Sequence, residues 1–404
     1  MRRLVRSLVA VAIVASSALA VADMDTVTLR GNYWRDRNTR VVQPAIDIAK
    51  QLPTGTQISA HYLLDAITSA SAAAGVKADQ PFTELRNEVG VSVGQAIGPM
   101  LLTGSYSYSA ESDYWSHFAS LGALWSSPQK NTLISASLGY SNDRVALRMS
   151  PTTYNPIGGL QTIRAVTTLT QTLTRRLLLT ATYELGVVGF GTAQNGWQAN
   201  VYRQVNMGGA PARESVPFQR IRQAAAGALY WLVPVPSRIM PYLAFRPAYR
   251  IYWDDWGLLS HAPELRMYVP TGPIEWRVTG RYYTQNHVSF WATNDGVHPA
   301  YLGDDSAGLP CKTCFLRSSR ETASGAPPKF FTADPKLGNF DSEFFELSAV
   351  VQFRGIHTWR WLPGHDWLAD GILQLSYGHY FNSGSAHAGF GDAEVAGLTL
   401  EWPL

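Results

Sequence analysis

Apolar and polar residues alternate one by one along most of this chain. Val27, Leu29, Gly31 and Tyr33 share one parity, and Thr26, Thr28, Arg30 and Asn32 share the other. The same pattern returns at Leu177, Leu179, Ala181, Tyr183 and Leu185 against Leu178, Thr180, Thr182 and Glu184. It returns again at Phe345, Leu347, Ala349, Val351 and Phe353 against Glu346, Ser348, Val350, Gln352 and Arg354. Side chains two apart on a strand share a face, so each stretch predicts a strand between an apolar and a polar medium. Sixteen strands are predicted, near 25–34, 40–50, 56–65, 82–95, 99–109, 114–126, 131–142, 160–173, 176–188, 218–232, 239–252, 258–269, 274–286, 341–353, 371–381 and 393–402.

The connections alternate as well. Short ones fall at Leu52-Pro53-Thr54, Ile97-Gly98, Ser127-Pro128-Gln129, Thr174-Arg175, Val235-Pro236-Ser237 and Pro270-Thr271-Gly272. Longer ones fall at 66–81, 143–158, 189–217, 287–340 and 382–392. Two segments break the rule: 253–257 is short where a long loop is expected, and 354–370 is long where a turn is expected. Short periplasmic turns opposite long extracellular loops, with an even strand number, describe one closed antiparallel transmembrane β-barrel with both termini in the periplasm. A large soluble sandwich or propeller would set its aromatic residues mid-strand against a second sheet. Here they gather at strand ends, as in Tyr33-Trp34, Tyr114-Trp115, Tyr230-Trp231, Tyr252-Trp253 and Trp402, where membrane-interface girdles lie.

Composition narrows the class further. Charged residues are 16% of the chain and aromatic residues 12%, against about 25% charged in an ordinary soluble domain. Beyond the first residues no run approaches the roughly 18 apolar residues of a membrane helix. Residues 1–22 read as a secretory signal peptide, with Arg2, Arg3 and Arg6 before an apolar run from Leu8 to Ala15 and small-residue cleavage sites at Ala18-Leu19-Ala20 and Ala20-Val21-Ala22. The barrel is then expected over 23–404. Without the three signal arginines, 30 basic residues balance 30 acidic ones. The basic balance of the full chain therefore does not point to nucleic acid.

Arginine and lysine are used differently. The six lysines, Lys50, Lys77, Lys130, Lys312, Lys329 and Lys336, fall in predicted loops or at strand edges. Ten arginines fall inside strands on the polar parity: Arg30, Arg86, Arg164, Arg220, Arg222, Arg246, Arg250, Arg266, Arg277 and Arg281. Six glutamates share that parity: Glu84, Glu88, Glu184, Glu264, Glu275 and Glu346. A charge facing lipid at the bilayer midplane costs roughly 2–4 kcal/mol, so these are expected to line the lumen. One reading is an Arg/Glu network that fills and stiffens the barrel. The other is an anion-leaning pore, because the counted arginines outnumber the glutamates.

Other candidates are weaker. Asp47 and His61 share the polar face of neighbouring strands, as a register-fixing hydrogen bond or as the start of a metal or proton-relay site. Cys311-Lys312-Thr313-Cys314 lies in the longest loop; in an oxidising compartment it most simply closes a disulfide, with metal or redox use as the alternatives and His298 the nearest histidine in that loop. No G-x-S-x-G, H-E-x-x-H or P-loop is present and no cofactor pattern is readable. His379, Asn382 and Ser383 faintly resemble the equipment of outer-membrane phospholipases.

Two resemblances complete the picture. Ala396, Leu398, Leu400 and Trp402 resemble the last-strand signal read by the outer-membrane barrel assembly machinery, although Pro403 and Leu404 follow. The segment from His61-Tyr62-Leu63-Leu64-Asp65 through Ala66-Ile67-Thr68-Ser69-Ala70-Ser71, with Arg40-Val41-Val42-Gln43-Pro44 before it, is similar to the opening of an uncharacterised outer-membrane barrel family, catalogued as a domain of unknown function. The likeness is sharp over about 30–95 and architectural beyond, and implies the barrel but no activity. The expected partners are outer-membrane lipid and the assembly machinery, with the oligomeric state open. The expected function is a porin-like pore for small hydrophilic solutes. A closed barrel presenting its loops is the alternative, and a lipid-acting enzyme the third reading.

Overall fold

The computed structural model describes residues 25–36, 39–69, 82–150, 153–191, 204–207, 210–213, 215–291, 293–294, 298–299, 330, 332, 334–355, 370–383 and 391–404. Residues 1–22 and the Cys311/Cys314 pair lie outside them. Among the described residues the barrel strands are β1 (Thr26–Arg35), β2 (Thr39–Gln51), β3 (Thr56–Ser69), β4 (Phe82–Ile97), β5 (Met100–Ala110), β6 (Tyr114–Ser126), β7 (Thr132–Ser150), β8 (Thr153–Thr174) and β9 (Leu177–Gly191). The small hairpin β10 (Gln204–Met207) and β11 (Ala210–Arg213) follows in a loop. The wall then continues through β12 (Gln219–Pro234), β13 (Tyr242–Asp254), β14 (Leu259–Thr271) and β15 (Ile274–Gln285). After the loop pair β16 (Thr293–Asn294) and β17 (His298–Pro299), the last wall strands are β18 (Phe340–Gln352), β19 (Ile372–Ser383) and β20 (Ala393–Pro403).

Every wall strand pairs antiparallel with its sequence neighbour, and β1 pairs with β20 from Thr26↔Pro403 to Arg35↔Glu394. All sixteen predicted strands form, and closure removes the unpaired edges an open sheet would leave in lipid. The ends meet on the short-turn side, where the Leu404 N–H donates to the Asp25 carbonyl and Gln51 N–H to its carboxylate. Gly98, with φ +57°, supplies the left-handed backbone of the tight β4–β5 turn.

One predicted loop is corrected. Most of 143–158 is strand: β7 and β8 continue to Ser150 and from Thr153, with register shifts between Val145 and Ala146 and between Arg148 and Ser150. An extra residue at each shift reverses the parity, which hid the strand from a search for strict alternation. The 253–257 connection is short, as the sequence shows, and β13 pairs directly with β14 across it. It is a tight turn between β13 and β14, with Gly257 at φ +88°.

The outer face is apolar. Leu121, Leu138, Val91, Leu265, Leu347 and Tyr377 are among its exposed side chains. At the long-loop side it ends in a repeated device. In five hairpins an outward tyrosine bonds a polar side chain on the next strand: Tyr62 donates to Asn87 at 2.8 Å, Tyr183 to Gln223 at 2.7 Å and Tyr282 to Asp341 at 3.0 Å, while Tyr106 pairs with His117 at 2.8 Å and Tyr249 with His261 at 2.5 Å. A ring lies in lipid and its hydroxyl reaches the wet zone, as an interfacial belt requires. The expected aromatic dipeptides contribute only half their residues to the outside. Tyr33, Trp115, Trp231 and Trp253 share the outward parity, while Trp34, Tyr114, Tyr230 and Tyr252 turn inward, because neighbours on a strand must face opposite ways.

Candidate functional site

The second face is concave. Arg281 on β15 donates to the Tyr380 hydroxyl on β19 at 3.1 Å, and Trp34 on β1 lies 5.3 Å from the Tyr380 ring, each across an intervening strand. Side chains on next-nearest strands converge only on the inside of a curved wall. The ladder registers put all ten singled-out arginines and all six glutamates on this parity, with Arg30 beside Asp47, Glu264 opposite Arg281, and Glu346 opposite Thr279.

Most form pairs. Arg30 forks onto Asp47 at 2.8 and 2.9 Å. Arg86 meets Asp65 at 2.7 Å and Glu88 at 3.9 Å. Glu84 accepts the Ser112 N–H at 2.8 Å. Arg164 donates to Glu184 at 2.7 Å, and Arg250 approaches the same carboxylate at 3.9 Å. Arg246 bonds Glu264 at 2.6 Å and the Tyr230 hydroxyl at 2.9 Å, and Arg277 bonds Glu275 at 2.8 Å. Arg266 donates to Thr279 at 2.9 Å, and Glu346 accepts from Ser348 at 3.1 Å. Arg222 stands opposite Asp254 in the ladder.

Aromatic rings take up part of the positive charge. The guanidinium of Arg220 lies 4.5 Å from the Trp256 ring centre, Arg246 lies 5.3 Å from Tyr230, and Arg277 lies 5.6 Å from Tyr268. Arg281 covers Phe344 and Tyr380 at 5.2 and 5.6 Å. These contacts hold arginine against the wall with fewer carboxylates than a pure ion-pair network would need. A depression of about 290 Å³ opens beside them, lined by Asn32, Trp34, Gln43, Glu346, Ser376 and Gly397 among others.

Exposure divides the set. The Asp254 side chain is 0% exposed and Arg220 9%, whereas Arg30, Arg164 and Arg250 are 42%, 48% and 55% exposed inside the barrel. On the uncharged arc of β5 and β6, serines bond one another instead, as Ser105 and Ser120 do at 2.6 Å.

The sequence count omitted aspartate. Asp47, Asp65, Asp143 and Asp254 share the inner parity. Asp143 accepts from Ser116 at 2.6 Å and from Tyr114; Asp254 accepts from Arg220, from Tyr252 at 2.8 Å, and from the Trp256 and Leu258 N–H groups at 3.0 Å each. Both lie just past the predicted strand ends, so extending the parity by two residues would have found them. With these four, and with Glu401 of β20 facing inward opposite Thr28, the ten singled-out arginines meet eleven carboxylates. The anion lean therefore loses its basis, and charge is distributed by position rather than in excess.

Asp47 and His61 do stand opposite each other in the β2–β3 ladder, but their side chains turn away to other partners. Asp47 takes Arg30, the stronger charged donor, and His61 Nε2 faces Glu88 at 3.3 Å. Gly90 gives the His61 ring its room: a Cβ there would fall 2.0 Å from Cε1. Among the described residues no three His, Cys, Asp or Glu side chains converge as metal ligands. His379 has the outward parity and packs 4.4 Å from the Phe381 ring, while Asn382 has the inward parity, so the faintly phospholipase-like group is split between the two faces.

No curated protein sequence matches the chain. Among solved structures, a bacterial polysaccharide outer membrane secretin is similar with a TM-score of 0.52 and 6% identity, over 95% of this chain and 99% of that one. CdiB from Acinetobacter baumannii is similar with a TM-score of 0.50 and 9% identity, over 93% of this chain and 60% of that one. At such identities the likeness is one of fold: an outer-membrane barrel. The family match covers residues 77–362, so it leaves out the whole His61–Ser71 segment and runs far past residue 95, where the sequence had offered architecture alone. The chain belongs to the family described as "Protein of unknown function (DUF3570)".

Proposed function

We propose that the chain is a passive outer-membrane pore for small hydrophilic solutes, its loops outside the cell and its termini in the periplasm. The supporting observation is the half-exposed state of Arg30, Arg164 and Arg250 on the inner wall. Guanidinium groups left in reach of water inside a closed barrel favour a wet lumen over a packed one. The near balance of arginines and carboxylates favours weak selectivity between simple anions and cations. Purified protein in a planar lipid bilayer should give stable conductance steps, altered by Arg250→Gln. Correctly folded protein with neither conductance nor solute uptake overturns the proposal.

A specific observation favours the second reading, a barrel that presents its loops. Val216, Trp256, Leu258, Val288, Trp291 and Leu337 form a buried apolar cluster in the outer connections, with Val145 of β7 packed against it. The Trp256 indole N–H donates to the Gln219 carbonyl at 2.9 Å, so this part of the outer surface has a built core. Trp256→Ala should loosen the loops and raise their protease sensitivity. If the loops also narrow the pore, the same change raises conductance.

A further inference from the structure

We infer that the lumen is charge-segregated across its width, a basic wall facing an acidic one, and that it selects solutes carrying separated positive and negative charges. This rests on the pore reading above. In the order of the closed barrel β1–β4 are the first four strands and β12–β15 the tenth to thirteenth, about half-way round. On the inner face β12–β15 carry seven arginines against Asp254, Glu264 and Glu275. On the same face β1–β4 carry Asp47, Asp65, Glu84 and Glu88 against Arg30 and Arg86.

Pairing sharpens the contrast. Asp254, Glu264 and Glu275 are each engaged by an arginine of their own wall within 2.8 Å. That leaves Arg250 with a carboxylate only at 3.9 Å, and Arg281 held by rings and a hydroxyl. Across the barrel, Asp47 and Asp65 take the two arginines, and Glu88 has His61 and a distant Arg86. Of the arcs between, the serine-lined β5 and β6 carry no charge on this face to bridge the two walls.

Opposed fixed charges with low-dielectric walls set up a field across the lumen rather than along it. Such a field excludes neither ion by net charge. It lowers the energy of a solute whose own dipole can lie across the pore, since each end meets the opposite sign as its water is shed. A zwitterion of amino-acid size has this form, and a neutral isomer lacks it.

The test is swelling of liposomes containing the full chain, in L-alanine and in its uncharged isomer lactamide. The native protein is expected to admit alanine several-fold faster than lactamide. Arg250→Gln with Arg281→Gln on one wall, and Glu88→Gln on the other, are each expected to bring that ratio towards one, while shifting cation-to-anion permeability in opposite directions. Circular dichroism verifies the barrel in each variant, and Lys130→Gln in a periplasmic turn should leave the ratio unchanged. Equal entry of the two isomers into conducting native liposomes overturns charge segregation and leaves the pore standing. So does a ratio that ignores both walls. Absence of any swelling or conductance overturns the pore and this inference with it.

Discussion

Arg220 and Asp254 are joined inside the barrel mouth by a 2.8 Å hydrogen bond from Nε, with the carboxylate wholly enclosed. The same carboxylate takes Tyr252 and the Trp256 and Leu258 N–H groups, so one side chain ends β13, shapes the turn and seats the loop core. Asp254→Ala strips a buried cation of its partner and orphans two backbone donors. It should destabilise the barrel by about 3–5 kcal/mol. Arg220→Met leaves the carboxylate three donors and should cost less. Urea unfolding followed by tryptophan fluorescence measures both, and equal effects would refute this account of the turn.

Gly90 and His61 make a second test. Gly90→Ala places a Cβ 2.0 Å from the imidazole and must push the ring off Glu88. A loss of about 1–3 kcal/mol is expected. His61→Ala should cancel most of it in the double variant, because the two residues are in contact. Additive losses would show that the ring does not need the glycine.

Adjacent residues should respond oppositely to the same substitution. Leu138 is 56% exposed on the outer face, while Ser137 lies inside opposite Gly122. Leu138→Arg near mid-strand should cost about 2–4 kcal/mol in phospholipid vesicles, and Ser137→Arg much less. The reverse order in urea titrations would turn the barrel inside out.

Glu111, in the β5–β6 connection, is the clearest pH-dependent group outside the membrane span. Burial pushes its carboxyl up from the usual glutamate value, with Arg86 opposing and Glu84, Asp113 and Asp65 reinforcing. A raised folded value means that its stabilising share is full below the unfolded value and is lost as pH rises through the folded one. Glu111→Gln should therefore be more stable than the native chain at neutral pH and little different at low pH. Stability measured at both ends of that window checks the sign.

Much of this was legible in the sequence because a transmembrane barrel writes its two solvents into every second residue. Leu29 and Arg30 could be assigned opposite faces without knowing their neighbours, and sixteen such stretches closed as expected. The alternation failed where the physical constraint relaxes. Beyond the bilayer an extra residue of β8, Ile157, opposite the step from Val145 to Ala146, breaks the period at no cost in lipid exposure, so strict alternation predicts a loop there.

By itself the sequence determined the strand number, the parity of side chains within the regular strands and the turn side of the barrel, since these follow from local period and connection length. Only the tertiary structure decided which charges meet. Asp47 stands opposite His61 in the ladder yet binds Arg30, because the inner wall offers it a stronger charged donor. Closure also brings β12–β15 about half-way round from β1–β4. A lumen field depends on that distance across the barrel, which no spacing along the chain encodes.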